Sequence, residues 1–340
     1  MSLQAYIIRR IVLLIPVLFG VSLITFTLSH VMPGDPARLA SGIEADEAQV
    51  QRLRVELGLD QPLPLQYVTY VRHLLQGDLG KSILNNLPVR ENLARFFPAT
   101  LELALASLVI ALALGIPLGV LAAVRKDGLF DHLSRLGALL GIAFPVFWVG
   151  IVLLLIFYFK LGWFPSSGRV DPEILLQYPV RTGTGLLTID ALLSGAWPVL
   201  ASTLWHLVLP AFSLSLSTLA RVARMTRTTM IEALSEAYVM TARAKGLPER
   251  RVVYGHALRN AMIPTVTIIG IAFGYLLGGS VLVETIFGWP GLGGYAFDAI
   301  LYLDFPSIMG ITLLATVVFL TANLLVDLVY VYLDPRIHYG

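Results

Sequence analysis

Two short runs in this sequence carry the residue types of nucleotide-binding loops. Residues 77–82 read Gly-Asp-Leu-Gly-Lys-Ser, which resembles a glycine-rich loop that holds phosphates. That loop requires a glycine five residues before the Gly-Lys pair, and this position is Leu75. The other run, residues 291–293, is Gly-Leu-Gly, but no strand-like segment precedes it, which excludes a dinucleotide fingerprint. Neither run therefore supplies the chain with a nucleotide site of its own.

Metal binding and proton coupling are also poorly supported by the residue types. The chain has no cysteine, which excludes disulfides and thiolate zinc sites, and its six histidines are scattered. The long apolar stretches contain no carboxylate, whereas a proton- or sodium-coupled carrier usually needs one within the membrane. Glu102 and Asp327 lie at the ends of two such stretches, where we expect interface or inter-helix groups. A pore of this composition is either passive or driven by another chain.

Long uncharged stretches make up much of the chain and must position its functional residues. Of the 340 residues, 56% are hydrophobic and only 14% are charged. Six stretches exceed the roughly 18 residues that mark a spanning helix: residues 11–29, 103–124, 136–159, 191–220, 260–283 and 305–326. Arg9 and Arg10 precede the first, as in a signal peptide, but its apolar run is longer than about 7–15 residues. We expect an all-α integral membrane protein with six transmembrane helices.

The distribution of Lys and Arg predicts the orientation of these spans. Basic residues concentrate before the first span and in the loops after the second and fourth, whereas the loop between the last two spans has none. The positive-inside rule then places both termini in the cytoplasm. Three segments follow from this layout: 1–30 with the first span, an outer loop over 31–98, and a core over 99–340 with the other five spans.

The outer loop is predicted to form a small helical layer on the membrane surface. Residues 44–57 and 64–75 both carry apolar residues at helical spacing. These are Val50, Leu53 and Leu57 in the first segment, and Tyr67, Tyr70, Val71 and Leu74 in the second. A flexible linker is the alternative.

The fourth apolar stretch is too long for one straight span across a hydrocarbon core of about 30 Å. We expect residues 191–204 to be a lead-in at the outer interface and residues 205–224 to be the span. Pro210 should kink that span because proline removes a backbone donor.

The longest inner connection, residues 222–261, is also the most basic part of the chain. Residues 225–245 are rich in helix formers and are predicted to extend the fourth span. Gly246 can adopt the positive φ that ends a helix, and Pro248 suits the first position of a new helix with Glu249 at its positive end. The pattern predicts a helix–glycine–helix corner beyond the bilayer, with a basic collar for anionic headgroups as the alternative.

Two runs in this connection resemble a known family. Residues 236–247 read Glu-Ala-Tyr-Val-Met-Thr-Ala-Arg-Ala-Lys-Gly-Leu, and residues 256–264 read His-Ala-Leu-Arg-Asn-Ala-Met-Ile-Pro. They are similar to the coupling loop of binding-protein-dependent ABC importer permeases, in its oligopeptide/dipeptide version. The broad family pattern has Glu-Ala-Ala before the glycine. Only Ala242 and Gly246 match it, and Met240 stands where the family has Glu.

The resemblance extends over nearly the whole chain. Further similar runs are Arg9-Arg10, Pro33-Gly34-Asp35-Pro36, Leu57 to Pro62, Gly77 to Gly80, Pro98 to Leu103, Ser167 to Val170, Thr184 to Asp190 and Glu284 to Gly293. It implies a type I ABC importer permease in the bacterial inner membrane, closest to the first dipeptide permease subunit, with a helical periplasmic layer. The implied partners are a sister permease, two cytoplasmic ATPase subunits that hold ATP and magnesium, a periplasmic substrate-binding protein, a peptide and membrane lipid. No cofactor, catalytic residue, metal or nucleic acid is implied for this chain.

Three groups of residues are expected to carry the function. Docking to an ATPase is expected at Thr241, Ala242, Arg243, Ala244, Lys245, Gly246, Leu247 and Glu249. The alanines would allow close approach, and the two basic side chains would pair with acids. Pathway-lining positions are expected at Pro145, Gly150, Gly270, Gly274, Gly278 and Gly279, with close helix packing as the alternative for each glycine. Contact with the binding protein, or cargo release, is expected at Glu284, Phe287, Trp289, Pro290, Gly291 and Gly293.

Three alternatives for the function stay open at this stage. The same machinery could carry nickel, glutathione or a haem-like compound instead of a peptide. A passive channel would work without ATPase partners. A membrane-surface scaffold would use the basic inner loop only to recruit another protein.

Overall fold

The computed structural model describes residues 3–31, 36–41, 46–56 and 58–333, and the regular elements in this part of the chain are all helices. They are α1 (Leu3–Val31), α2 (Pro36–Ser41), α3 (Glu47–Glu56), α4 (Leu63–Leu75), α5 (Val89–Val124), α6 (Leu129–Ala143), α7 (Val146–Leu153), α8 (Pro172–Gln177), α9 (Leu187–Leu193), α10 (Trp197–Ser235), α11 (Ala237–Ala244), α12 (Glu249–Arg251), α13 (Leu258–Ile286), α14 (Leu292–Leu301) and α15 (Phe305–Leu333). Two π-helical segments, Leu154–Lys160 and Val252–Ala257, continue α7 and α12. The predicted all-α class is confirmed.

Five helical segments are long and apolar enough to cross a membrane. They are Ile8–His30, Val89–Val124, Trp197–Ser235, Glu249–Gly278 and Phe305–Val326. A sixth span is present if the bent pair Leu129–Ala143 and Val146–Lys160 crosses as one unit. Many large apolar side chains on these segments are exposed, among them Ile15 and Val109, which suits a surface that faces lipid.

The third predicted span, residues 136–159, is not one straight helix. Its two halves meet at an angle of 103°. Phe144 has extended backbone angles (φ −82°, ψ 132°), because the ring of the following Pro145 disfavours the helical conformation before it. Proline also lacks the N–H that would continue the helical hydrogen bonds. Pro145 therefore starts a new helix in a new direction.

The central helix, α10, runs for 39 residues and packs against α5, α6, α7 and α13. The expected division into a lead-in over 191–204 and a span over 205–224 is wrong. One helix begins at Trp197, because Pro198 suits its first turn, and continues past Pro210. At about 1.5 Å per residue it is about 58 Å long, so it extends well beyond a hydrocarbon core of about 30 Å.

The bundle has two ends that carry different elements. The helix α13 leads from the segment after α11 and α12 to the loop before α14, so these elements lie at opposite ends of the spans. We call the two ends the α11 face and the α14 face. Ser29 Oγ of α1 lies 4.0 Å from Met309 Sδ near the start of α15, so the C-terminal end of α1 belongs to the α14 face.

A short helix packs on α1 near the α14 face. Tyr67 of α4 shares a hydrogen bond of 2.9 Å with Ser22 Oγ, and its ring centre lies 5.2 Å from that of Phe26. Gln66 bonds to His30 at 2.9 Å. The helix predicted over residues 64–75 is confirmed, and a flexible linker is wrong for this part of the loop.

The first predicted helix of the outer loop, residues 44–57, corresponds to α3 over Glu47–Glu56. Residues 44, 45 and 57 lie outside the described residues, as do Pro33, Gly34 and Asp35 of the run that resembled the family.

Candidate functional site

The corner predicted at Gly246 is present at the α11 face. Gly246 has φ +74°, and its N–H donates to the carbonyl of Arg243 at 2.9 Å. The N–H of Leu247 donates to the carbonyl of Ala242 at 3.3 Å. These two bonds close the last turn of α11, and Pro248 then directs the chain into α12. A glycine is needed at the turn because the left-handed backbone region costs other residues about 1–2 kcal/mol.

The helix predicted over residues 225–245 is interrupted, and this expectation is wrong. The central helix ends at Ser235, and Glu236 takes extended backbone angles (φ −73°, ψ 150°). Its carbonyl then accepts the N–H groups of Val239 and Met240 at 3.0 and 3.3 Å. Glu236 thus acts as the N-cap of α11, and the corner contains a short helix of its own rather than the end of α10.

One side of α11 is anchored to the bundle and the other is exposed. Val239 and Ala242 are buried in a cluster with Val120 of α5, Met230 of α10 and Val252 before α13. Ala242 therefore packs inside this chain, and its expected part in docking stays a prediction. Exposed residues of this corner include Tyr238, Met240, Thr241, Arg243, Ala244, Lys245 and Glu249, and Leu247 is half-buried.

Two of the residues expected to meet an ATPase are paired with each other. Arg243 Nη2 lies 2.7 Å from Glu249 Oε1, and Arg243 Nε lies 3.2 Å from Glu249 Oε2. This hydrogen-bonded pair raises the pKa of the Arg243 guanidinium above its ordinary value. The pair spans Gly246 and connects the end of α11 to the start of α12, so Arg243 already has an acidic partner within the chain.

Three of the glycines expected to line the pathway lie in close contact with neighbouring helices or loops. A Cβ on Gly150 would meet Phe287 at 3.2 Å, and one on Gly274 would meet Phe319 at 2.5 Å. Gly270 faces Val326 of α15 just as closely. Each of these three provides the space for a neighbouring side chain, which fits the close-packing alternative, and their pathway role stays a prediction. A Cβ on Gly278 would meet nothing within 4 Å.

Pro145 marks the bend between α6 and α7. Gly279 lies within α13. The lining role of Pro145, Gly278 and Gly279 stays a prediction.

The loop between α13 and α14 is built around the buried carboxylate of Glu284. Thr100 Oγ1 donates to Glu284 Oε1 at 2.6 Å. The N–H groups of Gly293 and Gly294 donate to Glu284 Oε2 at 2.7 and 3.1 Å. Thr100 Oγ1 also accepts the N–H of Leu292 at 2.7 Å. Two side chains from other helices thus satisfy the three free N–H groups in the first turn of α14, where a negative charge is favoured by the helix dipole.

The other residues of this loop are mostly buried too. The Trp289 indole N–H donates to the carbonyl of Ala99 at 2.8 Å, and Phe287 is 3% exposed. A Cβ on Gly291 or Gly293 would come within 2.7 Å of the Glu284 carboxylate. Contact with the binding protein, or cargo release, was expected at six loop residues; five of them are buried within this chain, and the role of the loop stays a prediction. Pro290 alone among the six is exposed.

A second buried carboxylate at the α14 face is Glu102. Arg169 donates to Glu102 Oε2 through Nε at 2.8 Å and Nη2 at 2.7 Å. Thr188 donates to Oε1 from both its N–H and its hydroxyl at 2.7 Å. The Arg169 guanidinium also lies 5.9 Å from the Trp289 ring centre. The expected inter-helix role of Glu102 is confirmed, and its arginine partner ties a long loop to α5.

Asp190 fixes the neighbouring loop before α9. Its carboxylate accepts the N–H and hydroxyl of Thr184 at 2.8 Å and the N–H of Gly185 at 2.9 Å. Burial acts to raise the pKa of Asp190, but these hydrogen bonds outweigh it and leave the pKa below its ordinary value. Sequence reasoning noted only the Thr184 to Asp190 run and assigned it no contacts.

An ion pair missed by sequence reasoning joins α6 to α10. Arg227 Nε and Nη2 donate to the two oxygens of Asp131 at 2.5 and 2.6 Å, and the Asp131 side chain is fully buried. The N–H of Asp127 donates to Asp131 Oδ2 at 3.0 Å. The two partners are 96 residues apart in the chain, and no local pattern marks them as neighbours.

This chain resembles known proteins in sequence and fold over most of its length. Residues 115–339 match the family described as the binding-protein-dependent transport system inner membrane component, and residues 3–104 match the N-terminal region of such membrane components. The chain belongs to this family. It is thus a permease component of an inner-membrane transport system.

Two relatives of this binding-protein-dependent permease match nearly end to end. It is 48% identical to the probable D,D-dipeptide transport system permease protein DdpB of Escherichia coli (strain K12), over 96% of this chain and 95% of the relative. It is 41% identical to the dipeptide transport system permease protein DppB of Alkalihalophilus pseudofirmus (strain ATCC BAA-2126 / JCM 17055 / OF4), over 98% and 99%.

A solved structure shares the fold of this permease. The MetNI methionine ABC transporter in an inward-facing conformation superposes with a TM-score of 0.52 at 17% identity, covering 72% of this chain and 96% of that chain. The likeness shows the same helical permease fold.

Proposed function

We propose that this chain is one of the two membrane subunits of an ATP-driven importer that moves dipeptides or short oligopeptides from the periplasm to the cytoplasm. In this proposal it pairs with a sister permease. Two cytoplasmic ATPase subunits, which hold ATP and magnesium, dock at the α11 faces of the two permeases. A periplasmic binding protein delivers the peptide at the α14 face. Both termini and the 222–261 connection then lie in the cytoplasm, and residues 31–98 in the periplasm.

The α11 corner is the observation that carries the mechanical part of this proposal. Val239 and Ala242 bury the inner side of α11 against α5, α10 and the segment before α13, whereas Met240 on the outer side is 58% exposed. A partner that binds the exposed side would move α11, and the buried contacts would pass that movement to the ends of α10 and α13. These two helices also pack against each other along the bundle.

The cargo part of the proposal is supported by the two relatives. Both are named for dipeptides, and the matches cover more than nine-tenths of each chain. Glutathione, nickel and haem-like compounds are the alternative cargoes. The described residues hold no cluster of His, Asp or Glu that suits a metal ion.

The test uses the assembled complex in vesicles and the substitution Gly246→Ala. The left-handed backbone at Gly246 (φ +74°) makes any Cβ cost about 1–2 kcal/mol. We expect the corner to relax by changing its angle, since a Cβ there would meet no atom within 4 Å that could hold it. Dipeptide uptake per ATP hydrolysed should fall about 5- to 30-fold, which is the ratio such a free energy supports, while the complex still assembles.

Gly195→Ala is the matched control, because Gly195 has φ +67° and also has no atom within 4 Å of an added Cβ. It lies before α10 at the α14 face, so the same backbone strain is placed far from α11. Its uptake per ATP should stay within about twofold of wild type, which corresponds to less than about 0.5 kcal/mol. Equal loss in both variants, or full coupling in Gly246→Ala, would refute the coupling role of the corner.

Cargo is tested by competition in the same vesicles. Labelled dipeptide uptake should be inhibited by unlabelled dipeptide and less by glutathione or nickel at equal concentration. Preferential inhibition by glutathione or nickel would assign the chain to that cargo instead.

A further inference from the structure

A groove runs along α10 on the side that lies between α6 and α13. One cavity of about 280 Å³ lies between α10 and α13, and another of about 410 Å³ lies between α10 and α6. Arg224 and Thr228 of α10 line both cavities, so the two adjoin along α10 and are together called the groove. Its apolar walls are provided by Ile268, Ile271, Ala272 and Tyr275 on one side and by Ala138, Leu139 and Ile142 on the other.

The groove is positively charged without a matching acid. Arg135, Arg221 and Arg224 line it, and among the described residues none of the three forms an ion pair. The nearby carboxylate of Asp131 is already bonded through both oxygens to Arg227. The groove therefore presents three guanidinium groups whose charge is not balanced by the surrounding chain.

Arg221 is the most confined of these groups. Its Cζ lies 5.3 Å from the ring centre of Tyr275, and its Nη2 donates to Ser217 Oγ at 3.1 Å. Its Nε is buried and has no acceptor. A buried N–H without a partner costs about 1–3 kcal/mol, so Arg221 is held in place with unused capacity to bind an anion.

The position of Arg221 along the bundle argues against a lipid headgroup as its ligand. Tyr275, which it contacts, precedes the end of α13 at Ile286 by 11 residues, or about 16 Å. It follows the start of the uncharged stretch at Asn260 by 15 residues, or about 22 Å. Arg221 directly follows the uncharged residues 191–220, so its backbone lies at the inner end of that stretch and its guanidinium reaches into the span toward Tyr275. A charge directed into the span faces a water-filled cavity or a substrate route.

We propose that this groove is an anion site that binds the C-terminal carboxylate of the peptide in transit, with Arg221 and Arg224 as its ligands. The inference rests on the proposed function. A guanidinium binds a carboxylate through paired N–H donors, and the apolar walls suit the peptide's side chains without selecting among them. Tyr275 holds Arg221 by a cation–π contact and leaves its remaining donors for the ligand.

The experiment uses the absence of cysteine from the sequence. Thr228→Cys places a single thiol of this chain in the groove, and the rate at which a small thiol reagent modifies it is measured in the nucleotide-free complex, in nanodiscs of zwitterionic lipid. Saturating dialanine should slow the modification at least about tenfold, which is the occupancy effect expected well above Kd. Dialanine amide, which lacks the carboxylate, should leave the rate unchanged.

The arginine variants and a charge-matched control complete the design. Adding Arg221→Gln or Arg224→Gln should abolish the protection by dialanine. Adding Lys126→Gln removes the same charge from the exposed turn before α6 and should preserve the protection by dialanine.

Equal protection by dialanine and its amide, protection by neither, or a thiol that the reagent never reaches would overturn the assignment. Protection that requires anionic lipid in the nanodisc and persists without peptide would identify a headgroup site and overturn it as well. Dialanine uptake by the unmodified complex in vesicles is measured in parallel. No uptake refutes the proposed function, whereas uptake without protection refutes only the groove.

Discussion

The buried carboxylate of Glu284 offers the sharpest test of how the α14 face is held together. It accepts hydrogen bonds from the hydroxyl of Thr100 and from the N–H groups of Gly293 and Gly294. Glu284→Ala would leave all three donors without this acceptor, in a region where Trp289 is 2% exposed and water has little access. We therefore expect Glu284→Ala to destabilise the fold rather than to weaken only a surface contact.

The size of this effect follows from the hydrogen bonds. Each buried donor left unpaired costs about 1–3 kcal/mol, and part of this is offset because the desolvated carboxylate is removed as well. A net loss of about 2–4 kcal/mol results. At about 2 °C per kcal/mol in a chain of this size, Tm should fall by about 4–8 °C.

Glu284→Gln should cost less, about 1–2 kcal/mol. One amide oxygen can still accept both glycine N–H groups, but the amide nitrogen then faces the Thr100 hydroxyl, which must accept instead of donate.

The assay is thermal unfolding of the purified complex in detergent, followed by tryptophan fluorescence, to which the buried Trp289 contributes. Glu173→Ala is the control, because Glu173 is an exposed carboxylate near the same face, and its Tm should stay within about 1 °C of wild type. The reasoning is refuted if Glu284→Ala keeps the wild-type Tm yet loses stimulation of ATP hydrolysis by the binding protein. That result would restore the role in surface contact that the sequence suggested for Glu284.

Three further predictions concern packing, pairing and pH. Gly274→Ala should lower the free energy of unfolding by about 1–3 kcal/mol through overpacking against α15, whereas Gly278→Ala should change it by less than about 0.5 kcal/mol. Equal Tm values for the two variants would contradict the packing role of Gly274. Arg243→Glu should lower uptake, because it places two carboxylates where the Arg243–Glu249 pair stood. Adding Glu249→Arg reverses the pair and should restore uptake to within about twofold, since such an exposed pair contributes only about 0.2–1 kcal/mol. Failure of the rescue would show that Arg243 binds a partner chain. The lowered pKa of Asp190 means that its carboxylate stabilises the fold at any pH above the ordinary carboxyl pKa of about 4, and that this stability is lost as pH falls through the lowered pKa. Asp190→Asn should therefore unfold at a lower temperature than wild type at pH 7, and the difference in Tm should close in acid.

Features with local causes could be predicted from the sequence. The helix α4 was predicted from tyrosines at helical spacing and is anchored by Tyr67 in the structure. The corner at Gly246 was predicted from a glycine followed by Leu-Pro, and its φ of +74° is a property of that residue. The bend at Pro145 has a local cause too, but its size of 103° depends on what each half of the span packs against.

Features that depend on contacts distant in sequence could not be predicted. Glu102 and Arg169 are 67 residues apart, and no spacing rule connects an acid on one helix with a base in a later loop. Gly291 and Gly293 were expected to take part in binding-protein contact or cargo release, and nothing local predicts that their missing Cβ atoms make room for the carboxylate of Glu284. Ala242 was assigned to the outer side of α11 because it is small, but small residues also suit the buried side of a helix.

The central claim is that an ATPase partner acts on the exposed side of the α11 corner, and one crosslinking measurement tests it most directly. A photoreactive amino acid replaces Met240, which is exposed on α11, or Pro290, which is exposed at the α14 face, in the assembled complex. Illumination should link position 240 to an ATPase subunit and position 290 to no ATPase subunit. Crosslinks to the ATPase from position 290, or none from position 240 while the complex still hydrolyses ATP during uptake, would contradict it.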